Sequence, residues 1–236
     1  MTRSPAMRAA GASVNTLVGT VALMALAGTA MATDNNSQNG WRDRGRVYEV
    51  TVTNITKAQT FTPILVATHS SRIAFFELGA PASAGLAILA EDGNPAMLAT
   101  ELASTGEVGD AQTIPGLLAP GASATARVTA SGRNNQVSLA AMLIPTNDTF
   151  VSLNSLTLPW WGSVSRTLTA YDAGSEPNDE LCVNIPGPRC GGQGASPGGG
   201  EGYVYVSNGM HGIGDLPAAT YDWRNPVARV VIRRVE

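Results

Sequence analysis

Two acidic, turn-rich stretches stand out in a chain that is otherwise poor in charge: "PTNDTFVSLNSLTLPW" around Asp148 and "YDAGSEPNDE" from Tyr171. Carboxylates grouped in this way suit two kinds of chemistry. A pair can serve as the acid and base of a glycosidase, which needs one carboxyl in a dry, apolar setting so that its pKa rises. Alternatively, carboxylates, amides and backbone carbonyls on flexible turns supply the roughly six to eight hard oxygens that calcium prefers. The acids here lie among Asn, Ser, Thr and Gly, which favours the second task. Asp148, Asp172 and Glu176 are the candidate ligands, with Asn147, Asn178 and Asp179 as helpers. The plain alternative is turn chemistry, because Asp and Asn side chains bond their own backbone, and the EF-hand spacing is absent.

Nucleophilic catalysis has less support. The two histidines lie in "VATHSSR" and "NGMHGIGD", where hydrogen bonding within a turn is the simpler role. No catalytic residue and no enzymatic activity are therefore expected. The adjacent Trp160 and Trp161 could form a stacking surface for a sugar or a partner's apolar patch. The simpler expectation is that at least one of them fills the core.

These residues need a scaffold and a compartment. The chain has 236 residues, 44% of them hydrophobic and 14% charged, enough for one substantial core. A net charge of −3, with arginines spread along the sequence, gives no phosphate-tracking surface, so nucleic acid is not an expected partner. Arg3 and Arg8, the apolar "LVGTVALMALA" and the small residues of Ala30-Met31-Ala32 read as a signal peptide over 1–32, cleaved after Ala32. A polar lead-in over 33–45 follows. The mature chain is expected in the periplasm or outside the cell, with no transmembrane segment. In an oxidising compartment Cys182 and Cys190 are expected to pair, since "CVNIPGPRC" suits a tight closed turn and lacks CxxC metal spacing.

From Arg46 onward the chain reads as β. "RVYEVTVTNI" alternates apolar and polar residues, and "FTPILVATH", "ATARVTAS", "QVSLAAMLI", "TFVSLN", "SRTLTAY", "GYVYVS" and "VARVVIRRV" read similarly. Between them, Ser83 can cap a helix carrying Leu86, Leu89 and Ala90 that ends at Gly93; Asn94-Pro95 can cap a second carrying Met97, Leu98 and Leu102. About eight strands around one helical connection predict an antiparallel β-sandwich over 46–236. The segment "NIPGPRCGGQGASPGGGEG" is expected to be a long surface loop fastened at its base by the disulfide.

These stretches together resemble the spondin domain, the amino-terminal module of F-spondin and mindin. "FTPILVATHSSRIAFFELGAPASAGLAILAEDGN" is similar to its early part. "NDTFVSLNSLTL", "AYDAGSE" and "NPVARVVIRRV" follow in the family's order. The resemblance implies a β-sandwich related to calcium-dependent membrane-binding modules, with the ion held at one end by acidic loops. The family's metal aspartate in its "PDWF"-like motif matches Asp148, and its "DAGTD" motif matches Asp172 and, with Glu in place of Asp, Glu176. It also implies a non-enzymatic role in binding or adhesion, with an extracellular or envelope protein or glycan as partner. A secreted hydrolase and a structural envelope component are the rival expectations.

Overall fold

The computed structural model describes residues 45–196 and 198–236. The leader over 1–32 and the lead-in up to residue 44 lie outside the described residues. In chain order the elements are β1 (Arg46–Asn54), β2 (Thr60–Phe61), β3 (Ile64–His69), α1 (Ala84–Asp92), α2 (Ala96–Ser104), β4 (Val108–Ile114), β5 (Ser123–Ala130), β6 (Gln136–Ile144), β7 (Thr149–Thr157), β8 (Ser163–Asp172), β9 (Tyr205–Val206), α3 (Ala218–Tyr221) and β10 (Ala228–Arg234). All pairings are antiparallel, in the order β4-β3-β6-β7-β8-β10-β1-β5, with β2 on β6 and β9 on β8.

Strand β8 turns this order into a sandwich. Its residues 163–168 pair with β10, whereas 169–172 pair with β7, so one strand serves both sheets. The outer strands then approach each other: Asp110 Oδ2 on β4 accepts the Thr129 N–H of β5 at 2.8 Å, and Thr68 Oγ1 donates to the Thr129 carbonyl at 2.7 Å. The result is mainly β and antiparallel, as the strand pattern predicts, and it is nearly closed into a barrel.

Two strand classes follow from what covers their faces. On β1 the residues Tyr48, Val50 and Val52 are buried while Glu49, Thr51 and Thr53 face outward, the alternation expected of a half-solvated strand. Strand β3 is buried along its whole length. The reason is the helical connection: Leu86, Leu89, Leu98 and Leu102 pack with Leu65, Ala67, Ala140 and Phe150 on the outer face of β3, β6 and β7. The inner faces of all these strands share the main core.

The helix signals in the sequence operate as read. Ser83 Oγ accepts the Leu86 N–H at 3.2 Å, Gly93 closes α1 in a left-handed conformation, and Asn94 Oδ1 accepts the Ala96 N–H at 3.0 Å. Met97, by contrast, is exposed rather than part of the apolar face. "FTPILVATH" is not one strand, since Pro63 lacks an N–H for the ladder and the run divides into β2 and β3. Strand β4 has no counterpart in the sequence reading; it is an edge strand whose residues are exposed or half-buried, so it lacks an apolar face to betray it.

Cys182 and Cys190 form a disulfide with a Cα–Cα separation of 4.7 Å, as expected. Its loop folds inward through Ile185, which is fully buried and whose carbonyl accepts the Gly192 N–H at 2.9 Å. Among the described residues no helix is long and apolar enough to cross a membrane.

Candidate metal centre

The two acidic stretches meet at one end of the sandwich because of strand pairing. Thr149 opens β7 opposite Asp172, which closes β8, so Asp148 and the 173–180 turn leave the sheet side by side. The Ala173 N–H bonds to the Asp148 carbonyl at 3.1 Å. Asp148 then gathers the turn around itself: its Oδ2 accepts the N–H groups of Ser175 at 2.8 Å and Glu176 at 3.0 Å, and the Ser175 hydroxyl at 3.2 Å.

Asp172 is satisfied by its neighbours. Its Oδ1 accepts the Gly174 N–H and its Oδ2 the Asn178 amide, both at 2.9 Å. Asn178 also donates to the Tyr205 hydroxyl at 3.1 Å. The remaining carboxylate oxygens differ. Asp148 Oδ1, Glu176 Oε1 and Glu176 Oε2 are buried without a hydrogen-bond partner. Asp148 is 0% exposed and Glu176 1% exposed, so bulk solvent does not reach these oxygens.

Burial pushes the Asp148 carboxyl up to about 7; Asp172 adds to the effect while the Glu176 and Ser175 N–H groups oppose it. Burial also pushes Glu176 up to about 7, with the carboxylates of Glu91, Asp148 and Asp179 acting in the same direction. The Ser196 side chain opposes this shift, although it does not reach hydrogen-bonding geometry with either Glu176 oxygen. Asp172 is raised, chiefly by burial, and held back by Gly174 and Asn178. Tyr205 is raised by burial and then by Asp172 and Glu201. These acids therefore do not sit in the solvated turns that their polar sequence neighbours suggest; the backbone of the turn closes over them.

A glycine-rich strap covers the site. The Gly202 N–H bonds to the Gly174 carbonyl at 2.8 Å. A Cβ on Gly200 would stand 2.5 Å from that carbonyl and 2.8 Å from the Glu176 nitrogen. Gly174 itself has φ of +64°, and a Cβ there would meet the Tyr203 carbonyl at 2.3 Å. Glycine is required at these places by close backbone approach, so the strap is a packed cover and not only a surface loop.

Of the expected helpers, Asn178 orients Asp172, whereas Asn147 and Asp179 serve the neighbouring turn. Asn147 donates to Asp179 Oδ1 at 3.0 Å and accepts the Glu180 N–H at 3.2 Å. Glu180, overlooked in the sequence, is buried in a left-handed conformation, with φ of 58°, and accepts the N–H groups of His211 and Ile213. It anchors the 207–215 loop beside the site.

The oxygens without donors fit a hard cation in kind. Three buried acceptors, raised carboxyl pKa values and a close-packed glycine cover are the features that a bound ion would explain. Among the described residues, however, no group of three or more His, Cys, Asp or Glu side chains converges tightly enough to hold a metal by itself. Backbone or water oxygens would have to complete the shell.

Other candidates fall elsewhere. His69 Nε2 lies 2.7 Å from Ser138 Oγ and its Nδ1 2.8 Å from the Ser70 carbonyl. Both side chains are fully buried, and burial lowers the His69 pKa. This pair bridges β3 and β6 within the structure. Trp160 and Trp161, in the β7–β8 turn at the far end of the sandwich, are 69% and 81% exposed, so neither fills the core. Arg46 and Arg234 stack over Trp160 at 4.6 and 5.8 Å.

The Spondin_N family model matches residues 52–179, from β1 through the acidic turn. The chain belongs to the Spondin_N family. The matched span includes Asp148, Asp172 and Glu176, while the disulfide, the glycine strap and β10 lie beyond it. No curated protein matches the chain.

Proposed function

We propose that this Spondin_N chain is an exported, calcium-binding β-sandwich module with a non-enzymatic binding or adhesion role at the cell envelope or outside the cell. The observation that carries the reading is the set of three buried carboxylate oxygens without donors on Asp148 and Glu176. Asp148, Asp172 and Glu176 are the proposed ligands. Calcium fits better than magnesium, because it accepts more oxygens in looser geometry and needs no dedicated rigid cage. When bound it supplies positive charge that offsets the repulsion among these acids.

Family membership supports an extracellular binding module, and the disulfide suits an oxidising compartment. The proposed leader over 1–32, cleaved after Ala32, would deliver it there. The loops around the acidic site and the disulfide-tethered turn are the proposed contact surface for a protein or glycan partner. The test is binding of the mature, oxidised chain to glycan arrays and to envelope preparations, in calcium and in chelator. Binding that requires calcium supports the reading, and binding indifferent to chelation opposes it.

A second reading draws on the same raised pKa values. Asp148 and Glu176, both pushed up to about 7, could act as a general acid and base in a hydrolase. Their near-complete burial disfavours this, because a substrate bond must reach them. Turnover of a glycan or ester that disappears in Asp148→Asn would establish it.

A further inference from the structure

At the end of the sandwich away from the acidic turns, two fully buried side chains hold a bulge in place. His69 closes β3 opposite Gln136, the first residue of β6. Its Nδ1 lies 2.8 Å from the Ser70 carbonyl, which can only accept, so the neutral ring carries its proton there. Nε2 is then a bare acceptor, and the Ser138 hydroxyl donates to it at 2.7 Å. Ser138 Oγ in turn accepts the Ser155 N–H at 2.8 Å. Ser155 sits where the β6–β7 register shifts, with φ of 62°, a conformation that a residue other than glycine keeps only when its surroundings impose it. The bulge also sets Asn154 against the crossover connection: its Oδ1 accepts the Phe75 N–H at 3.0 Å and its Nδ2 donates to the Phe76 carbonyl at 2.8 Å. Phe75 is buried, and Phe76 packs edge-on against Phe150 with ring centroids 5.3 Å apart.

Protonation breaks this chain of bonds. A proton on Nε2 turns it into a donor, so the Ser138 hydroxyl loses its acceptor and a cation stands where neither His69 nor Ser138 meets solvent. The neighbouring charges are already engaged. The Glu107 carboxylate accepts the Ser70 hydroxyl at 2.5 Å and pairs with Arg72 and Arg133 at 3.4 and 3.3 Å. Asp110 on β4 accepts the Thr129 N–H and the Gln112 amide, both at 2.8 Å. Gln136, Ser138, Asn154 and Ser155 bring no charge from β6 and β7, and Phe75 presents an apolar ring 6.2 Å away. Burial lowers the His69 pKa, with the Ser70 carbonyl opposing it, so the stability of the neutral arrangement is complete above the ordinary 6.5 and declines as pH falls below it. We propose that His69 is an acid-operated latch, whose protonation releases the Ser155 bulge and with it the 70–80 segment of the crossover connection. The latch is independent of the calcium reading, which concerns the other end of the strands.

The test is hydrogen exchange of the mature, oxidised chain in chelator, at pH values about one and a half units below and one unit above the ordinary histidine value. The unaltered protein is compared with His69→Gln, in which an uncharged side-chain oxygen replaces the ring nitrogen as acceptor for the Ser138 hydroxyl and no proton can be taken up. Asp148 and Glu176 titrate in both proteins, so their effect cancels in the comparison. On acidification the unaltered chain is expected to lose protection at residues 70–80 and 153–156 by about tenfold relative to His69→Gln, the ratio that one unit of pKa difference gives. The same change in both proteins would overturn the latch. Nuclear magnetic resonance of the His69 ring in the unaltered chain gives a second readout that needs no variant. The latch requires a protonated Nδ1 and a bare Nε2 above the ordinary value, and a titration below it that moves the Ser155 amide resonance. A ring that titrates at its ordinary value, or without any response at Ser155, would contradict the proposal.

Discussion

Asp148 and Glu176 are joined through the backbone: Oδ2 of Asp148 accepts the Glu176 N–H at 3.0 Å across 28 residues of chain, while Oδ1 of Asp148 and both Glu176 carboxylate oxygens have no donor. One carboxylate oxygen thus shapes the turn, and three are left over. The cost of leaving buried acceptors unpaired is normally avoided in folded proteins, so the arrangement requires either protons or a cation.

That choice makes stability depend on pH. In the folded, metal-free chain Asp148 is raised from 3.8 to about 7 and Glu176 from 4.5 to about 7. The folded state therefore holds more protons than the unfolded state between those limits. The stability these groups confer is fully present below the unfolded values and is lost as pH rises through about 7. Glu49, lowered by its bonds to Arg127 and Arg233, and Glu107, lowered by the Ser70 hydroxyl and then by Arg133 and Arg72, act oppositely near and below 4.5, and His69, lowered by burial, acts oppositely below its ordinary 6.5 with a single group against the two raised acids. Melting in chelator should accordingly show a temperature that declines from about pH 5 to pH 8. Saturating calcium should flatten that decline, and a parallel decline in both conditions would count against the ion.

Substitution at Asp148 separates its two roles. Asp148→Ala strips the acceptor from the Ser175 and Glu176 N–H groups, at about 1–3 kcal/mol for each group left unsatisfied. Asp148→Asn keeps one acceptor oxygen and removes the charge, so in chelator above pH 7 it should melt at or above the unaltered protein. Calcium binding should be lost in both. Denaturant titrations with and without calcium measure the two effects.

The glycine cover makes a sharper prediction about packing. Gly174→Ala must adopt a positive φ and place its Cβ 2.3 Å from the Tyr203 carbonyl. Gly162 also has a positive φ, +70°, but nothing within 4 Å of the added carbon. Gly162→Ala should cost about 1–2 kcal/mol from backbone strain alone. Gly174→Ala should cost clearly more, and only it should weaken calcium binding.

Removing the disulfide by Cys182→Ser with Cys190→Ser should destabilise the chain by roughly 2.5 kcal/mol from loop-closure entropy. For a domain of this size that is a fall of about 5–10 °C in melting temperature. Proteolysis should accelerate first near residues 181–193, since Gly192 and Gln193 bond back to Ile185 and Val183 within that loop.

How much of this could be read beforehand depended on whether a residue's surroundings are local. The alternation on β1 and the caps Ser83 and Gly93 are local signals, and they were legible. The continuous burial of β6 was legible as a strand, but its cause, a helical layer on its outer face, is tertiary. Polar β4 has no apolar face to read. At the acidic end, motif order brought Asp148, Asp172 and Glu176 together, yet their polar neighbours pointed to solvent. Only the closing of Ser175, Gly200 and Gly202 over them makes the site dry. Glu180 was missed because a single acid in a turn carries no sign of the loop that will later bond to it.

The central claim is that this carboxylate end holds calcium. Its most direct test is thermal unfolding of the mature, oxidised chain after chelation, titrated with calcium and separately with magnesium. A calcium excess of about 100-fold over its dissociation constant contributes about 2.7 kcal/mol. At about 2–4 °C per kcal/mol for a domain of this size, melting should rise by roughly 5–11 °C with calcium and barely with magnesium. No rise with either ion would contradict the account and leave Asp148 and Glu176 as buried acids held by protons.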